Sequence, residues 1–206
     1  IEAWNRTRRS HSHGAGGTLS RRLTEEIFLP AFDNTHLAAM DDTATVDLEA
    51  RRIAVSTDSY VVQPLFFPGG NIGDLAVHGT VNDLAVSGAR PEYLTAGFIL
   101  EEGLSMETLW NTVQAMADAA VKAGVQIVTG DTKVVPRGAA DKIYINTAGI
   151  GTIKEGVDVS GANARPGDAV ILSGTMADHG MTILTQRQGL AFESDLTSDS
   201  APLNHM

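Results

Sequence analysis

Apolar positions along the chain switch between a helical period and a strict alternation, and the switches mark the elements. Residues 18–32 carry Leu19, Leu23, Ile27 and Phe28 along one side, predicting a short helix that stops near Pro30. Two brief alternating runs at 44–48 and 52–56 read as a hairpin. A helix over 71–86 follows, with Asn71 as N-cap, Ile72, Leu75, Ala76, Leu84 and Ala85 as its apolar positions, and Gly79 allowing close packing. His78 reads as a packed helix residue. Residues 92–101 alternate as a strand with two apolar-leaning faces. The clearest helix starts at the cap Ser105, with Leu104 and Leu109 placed as a hydrophobic staple. Leu109, Val113, Met116, Ala117 and Ala120 form one stripe, and Gly124 closes it. A strand over 125–129 then ends in Gly130-Asp131-Thr132-Lys133, and a further strand spans 142–153.

This order of elements predicts an α+β domain, a mixed sheet flanked by helices, rather than the regular strand–helix alternation of a doubly wound sheet. Residues 1–17 are polar and glycine-rich and read as a flexible arm, leaving 18–155 as the domain proper. A Gly-, Asn- and Pro-rich stretch from 156 to 167 marks a boundary. Beyond it a strand at 169–173, the glycine-bracketed run Gly174–Gly180 and a helix containing Met181, Ile183 and Leu184 read as the start of a second α+β unit, incomplete over 156–206. Gly174–Gly180 is either an anion site at a helix start or a simple strand-to-helix turn. The Phe66-Phe67 loop, bracketed by Pro64 and Pro68, is buried, at an oligomer interface, or over a flat ligand.

The chain of 206 residues has 15 basic and 25 acidic residues, a net charge of −10. That field repels nucleic acid and anionic membrane, so neither is expected as a partner. There is no cysteine, which excludes disulfides, thiolate metal sites and a cysteine nucleophile within this sequence. No apolar run reaches the roughly 20 residues of a membrane span, and the basic N-terminus lacks the apolar core of a secretory signal. A cytoplasmic protein is expected.

Carboxylates recur at element edges: Asp41-Asp42, Asp58 in Thr57-Asp58-Ser59, Asp83 after Asn82, and Asp131. Any one of these reads as a solvated turn. Four in one small domain suggest a shared cation and phosphate site, with Lys133 as a nearby ammonium. Asn82 and Asp83 fall inside a helical pattern, where a polar pair costs stability unless something is bonded there.

The ordered set His13-Gly14-Ala15-Gly16-Gly17, Asp41-Asp42, Thr57-Asp58-Ser59, the Pro64–Gly70 loop, Gly79-Thr80-Val81-Asn82-Asp83-Leu84-Ala85, Glu101-Glu102-Gly103, Gly130-Asp131-Thr132-Lys133-Val134-Val135 and Gly174–Gly180 resembles the HypE family of hydrogenase maturation proteins. That family sits in the superfamily of aminoimidazole ribonucleotide synthetase, thiamine-monophosphate kinase and selenophosphate synthetase. The resemblance covers about residues 13–204.

It implies an enzyme that uses ATP and Mg²⁺ to dehydrate a carbamoyl group, held as a thiocarboxamide on a C-terminal cysteine, to the thiocyanate that supplies the cyanide of [NiFe] hydrogenases. It also implies a homodimer whose sheets pair into a barrel, delivery of the carbamoyl group by HypF, and transfer of cyanide to a HypC–HypD complex. Under this resemblance Asp42, Asp58, Asp83 and Asp131 match the metal aspartates, with Asp41 the weaker half of its pair. Asp83 and Lys133 take the catalytic roles, Lys133 either neutralising charge on the transferred phosphoryl group or helping to deprotonate the amide. His13, Gly14, Gly16 and Gly17 would close over the nucleotide, Asn82 and Thr132 would bond it, and Asp178 and His179 would face its phosphates. The resemblance also implies that the sequence stops short of the acceptor cysteine, so that this polypeptide is not expected to make thiocyanate alone. Two other readings stay open: a different superfamily member acting as small-molecule kinase or synthetase, and a non-catalytic dimerisation or docking module.

Overall fold

The computed structural model describes residues 17–38, 52–188 and 196–206. A helical stretch opens it: α1 (Gly17–Leu23), a π-helical turn (Thr24–Phe28) and α2 (Leu29–Phe32), followed by α3 (Thr35–Ala38). Pro30 does not stop this helix. It lies in the first turn of α2, where its missing N–H is tolerated, and the chain leaves at Asp33. Leu23, Ile27 and Phe28 are buried, and the Phe28 ring tilts against Phe98 at 5.0 Å.

The sheet is β1 (Arg52–Tyr60), β4 (Ala89–Glu101), β5 (Gln126–Val135) and β6 (Ile143–Ile153), in the order β1-β6-β4-β5. β1 and β4 run antiparallel to β6, and β4 and β5 are parallel. The mixed sheet expected from the sequence is therefore present. A two-stranded ribbon, β2 (Phe66–Phe67) and β3 (Gly70–Asn71), precedes α4 (Ile72–Val86). The first arm of the expected hairpin, at 44–48, lies outside the described residues. The second arm, β1, pairs with β6 along its whole length.

Helices α4 and α5 (Met106–Ala123) pack against each other and cover one face of the sheet. Their ends follow the sequence reading. Asn71 caps α4 through Gly73 and Asp74, with Asp74 bonding back to the Asn71 N–H; Ser105 caps α5 through the Thr108 N–H, and Gly124 ends it at φ 70°. Under them lie Leu94, Ala96, Phe98 and Leu100 of β4 and Ile143 and Ile145 of β6, all buried.

The opposite face of the sheet carries no helix among the described residues. There β1 leaves Ile53 and Val55 more than half exposed, and β4 leaves Ile99 at 42%.

Two strand expectations need correction. β5 does not end at Thr129. It continues through Gly130-Asp131-Thr132-Lys133 to Val135 because β4 pairs with it that far, Glu101 opposite Val135. Gly130 permits this: a Cβ there would strike the Ala96 carbonyl of β4. The strand expected at 169–173 is not formed. No neighbouring strand pairs with it among the described residues, and Val170, Ile171 and Leu172 stand exposed. The following helix is present as α6 (Asp178–Gln188), and no helix described is long and apolar enough to cross a membrane.

Candidate functional site

β1 and α4 bring two of the sequence-predicted carboxylates to the same side of the sheet. Asp58 lies opposite Thr147 of β6, a residue buried beneath α4, so its side chain projects to the helix-covered face. Asp83 leaves α4 toward the same strand, where the Ser56 hydroxyl donates to its Oδ2 at 3.0 Å. Ser56 is two residues before Asp58 and shares its face. One Asp58 oxygen accepts the Ser59 N–H at 2.8 Å. Both carboxylates are solvent-accessible.

Beneath them a buried polar chain fixes α4 on the sheet. Thr147 Oγ1 donates to the Ala76 carbonyl at 2.8 Å, so in its 2.6 Å contact with Thr80 it accepts, and Tyr60 in turn donates to Thr80 at 3.2 Å. Burial pushes the Tyr60 phenol up to about 12, aided by the nearby Asp58 charge, so it stays a donor at physiological pH. Gly79 makes this approach possible, since a Cβ there would run into the Tyr60 hydroxyl. The sequence reading missed this network. Its signal was two threonines, Thr80 and Thr147, at positions otherwise apolar.

Asp131 and Lys133 are placed differently. Across the sheet Asp131 is opposite Gly97, Gly97 opposite Asn146, and Asn146 opposite Ser59. That row is on the open face, and Lys133 beside Ile99 shares it. Asn146 donates there to Ser59 Oγ at 3.0 Å and to the Asp58 carbonyl at 2.9 Å. Thr132 faces the other way, with Phe98. The Gly-Asp-Thr-Lys run thus splits between two faces, and one chain does not bring Asp131 to Asp58 and Asp83. Among the described residues no three His, Cys, Asp or Glu side chains come together that could hold a metal. His13, Gly14, Gly16, Asp41 and Asp42 lie outside the described residues, and Gly17 is the first residue of α1.

Asp178 and His179 open α6. The His179 ring stands edge-on to Phe67 at 5.2 Å, its Nδ1 contacts Ser198 Oγ at 3.1 Å, and its N–H donates to Asp199. His179 also lines a cavity of about 600 Å³ with Ser59, Tyr60, Val62, Leu75 and Arg187, next to Asp58 in the chain. Phe67 is therefore buried beside α6, while Phe66 is exposed. Asn82 meets neither carboxylate group: its amide bonds the Ala201 carbonyl and the Leu203 N–H.

Residues 40–153 match the N-terminal domain of AIR synthase related proteins, and the chain belongs to that family. Within it, the chain is 52% identical over 195 residues to carbamoyl dehydratase HypE of Bradyrhizobium diazoefficiens, covering 95% of this chain and 56% of that protein. It is also similar to the solved structure of hydrogenase maturation protein HypE in complex with ATP, with a TM-score of 0.92 and 59% identity, over 95% of this chain and 58% of that one. The HypE–HypF complex matches at a TM-score of 0.74 and 54% identity, over 89% of this chain and 59% of that one. The chain thus spans a little over half the length of the relatives it matches, and the resemblance read from the motifs holds.

Proposed function

We propose that the chain is the nucleotide-binding portion of a HypE-type carbamoyl dehydratase, with Asp58 and Asp83 holding Mg²⁺ against the phosphates of ATP. The observation that carries this reading is the convergence of these two carboxylates, from β1 and α4, on one accessible side of the sheet. The similarity to carbamoyl dehydratase HypE and to HypE with ATP supports it. Mg²⁺ binds through one or two carboxylates and keeps several waters, so a pair suits it without a full protein cage. When bound, Mg²⁺ withdraws negative charge from the phosphate oxygens. Asp42 and the arm residues His13, Gly14, Gly16 and Gly17 belong to the same site in this reading, and His179 and Asp178 bound it from α6.

The overall conversion is balanced as thiocarboxamide plus ATP giving thiocyanate, ADP and phosphate: the carbamoyl oxygen leaves as part of the phosphate. Lys133 serves the transferred phosphoryl group or the amide proton from the open face. In this reading Asp131 and Lys133 reach the site from a second copy, since one chain carries them on the face opposite Asp58 and Asp83; the exposed Val55 and Ile99 are what an interface on the open face would bury. The sulfur acceptor is not in this sequence, which has no cysteine. Residues 18–155 act as the nucleotide and dimer domain, with a second domain beginning near 156. HypF would deliver the carbamoyl group, in line with the similarity to the HypE–HypF complex, and a HypC–HypD complex would receive the cyanide. Calorimetric titration of Mg-ATP tests the site. Asp83→Ala is expected to lose at least about tenfold in affinity; an unchanged affinity would remove Asp83 from the role.

A further inference from the structure

Asn82 directs its side chain away from β1, toward residues 198–205. Its Nδ2 donates to the Ala201 carbonyl at 2.9 Å, and its Oδ1 accepts the Leu203 N–H at 2.8 Å. One side-chain amide thereby makes two backbone bonds to a single passing segment. The same segment is held on either side. Ser200 Oγ contacts Nδ1 of His78, one turn before Asn82, at 3.0 Å. The Ser198 N–H donates to the Pro68 carbonyl at 2.9 Å, and the segment lies so close that a Cβ on Gly69 would come 2.7 Å from Ser198 N. Downstream, Asn204 donates to the Ala123 carbonyl at 2.8 Å, and His205 Nε2 contacts the Lys122 carbonyl at 3.0 Å, both at the end of α5. The segment also holds α6: Asp199 Oδ1 accepts the His179 N–H at 2.9 Å, and Ser198 Oγ meets the His179 ring.

We infer that Asn82 is a positioning residue, latching residues 198–205 across α4 so that the start of α6 is fixed relative to Asp83, rather than a ligand of phosphate or of a metal-bound water. Adjacent residues of one helix then divide the work. Asp83 faces β1, and Asn82 ties the segment that carries Asp199 and, through it, His179. The latch rests on the nucleotide reading only for the significance of Asp83; the hydrogen bonds that make it stand apart from any ligand.

Amide hydrogen exchange on the full 206-residue chain, paired with Mg-ATP titration, tests this. Asn82→Ala is expected to speed exchange at the Ser198 and His179 amides, neither of which touches Asn82, on the order of tenfold. Ser200→Ala, which removes a different anchor, is expected to speed the same two amides. Mg-ATP affinity should fall in both variants. Unchanged exchange at Ser198 and His179 in Asn82→Ala, or an affinity loss confined to Asn82→Ala, would overturn the latch and return Asn82 to the ligand set. If the unaltered chain binds no Mg-ATP, the nucleotide reading fails, and the exchange result alone decides the latch.

Discussion

Asp58 and Asp131 stand on adjacent rows of one sheet and project from opposite faces of it: Asp58 is opposite Thr147 on the helix-covered side, while Asp131 is opposite Gly97 on the open side. Side chains that alternate along a strand cannot be brought to one ligand by small rotations. If both serve one polyphosphate site, they come from different copies of the chain.

The proposed dimer would use the open face. Val55 is 67% exposed and Ile99 42%, and a charge on either would meet its own copy or an apolar neighbour across a two-fold axis. Sedimentation velocity is expected to show a dimer for the unaltered chain and a monomer for a Val55→Lys/Ile99→Lys double variant, with unchanged circular dichroism. An unaltered dimer in that variant would place the contact elsewhere.

Gly79→Ala is expected to lower stability by about 1–3 kcal/mol, because the new methyl group collides with the Tyr60 hydroxyl and must push β1 off α4. Gly138→Ala serves as the contrast. Its φ of 84° strains an alanine, but no atom lies within 4 Å of the added carbon, so the loss is expected near 1 kcal/mol. Chemical denaturation of both variants checks the order.

His78 gives a pH dependence with a definite sign. Burial, with Lys122 nearby, lowers its imidazole to about 4, below the 6.5 of a free histidine. Between those values the unfolded chain binds the proton that the folded chain refuses, so stability falls as the pH drops from about 6.5 to 4. After allowance for solvent screening this amounts to ~1–2 kcal/mol. Thermal melts of the unaltered chain and of His78→Gln at pH 7 and pH 4.5 should differ in this slope, which is shallower in the variant.

The sequence made the helices and their caps legible because Asn71, Ser105 and Gly124 act locally: each side chain or φ angle satisfies backbone groups within one turn. It also grouped Asp58 with Asp83, and the fold carries both on the same side of the sheet. It misread Gly130-Asp131-Thr132-Lys133 as a strand end, since what extends β5 is its partner β4, more than thirty residues away. The same blindness hid the face on which Asp131 lies, which follows from register and not from its neighbours in sequence. Asn82 was singled out as a polar residue that needs a partner inside a helical pattern, and the structure gives it two. Its partners, Ala201 and Leu203, lie some 120 residues on, and no local pattern announces them.

The shared site is tested most directly by mixing two inactive variants. Asp83→Asn and Asp131→Asn chains are each expected to bind Mg-ATP weakly as homodimers. Unfolded together and refolded as a mixture, half-and-half dimers carry one site with both aspartates intact, so roughly a quarter of all sites should regain full affinity in a calorimetric titration. No recovery on mixing, with dimer formation verified, would contradict a site built from two chains.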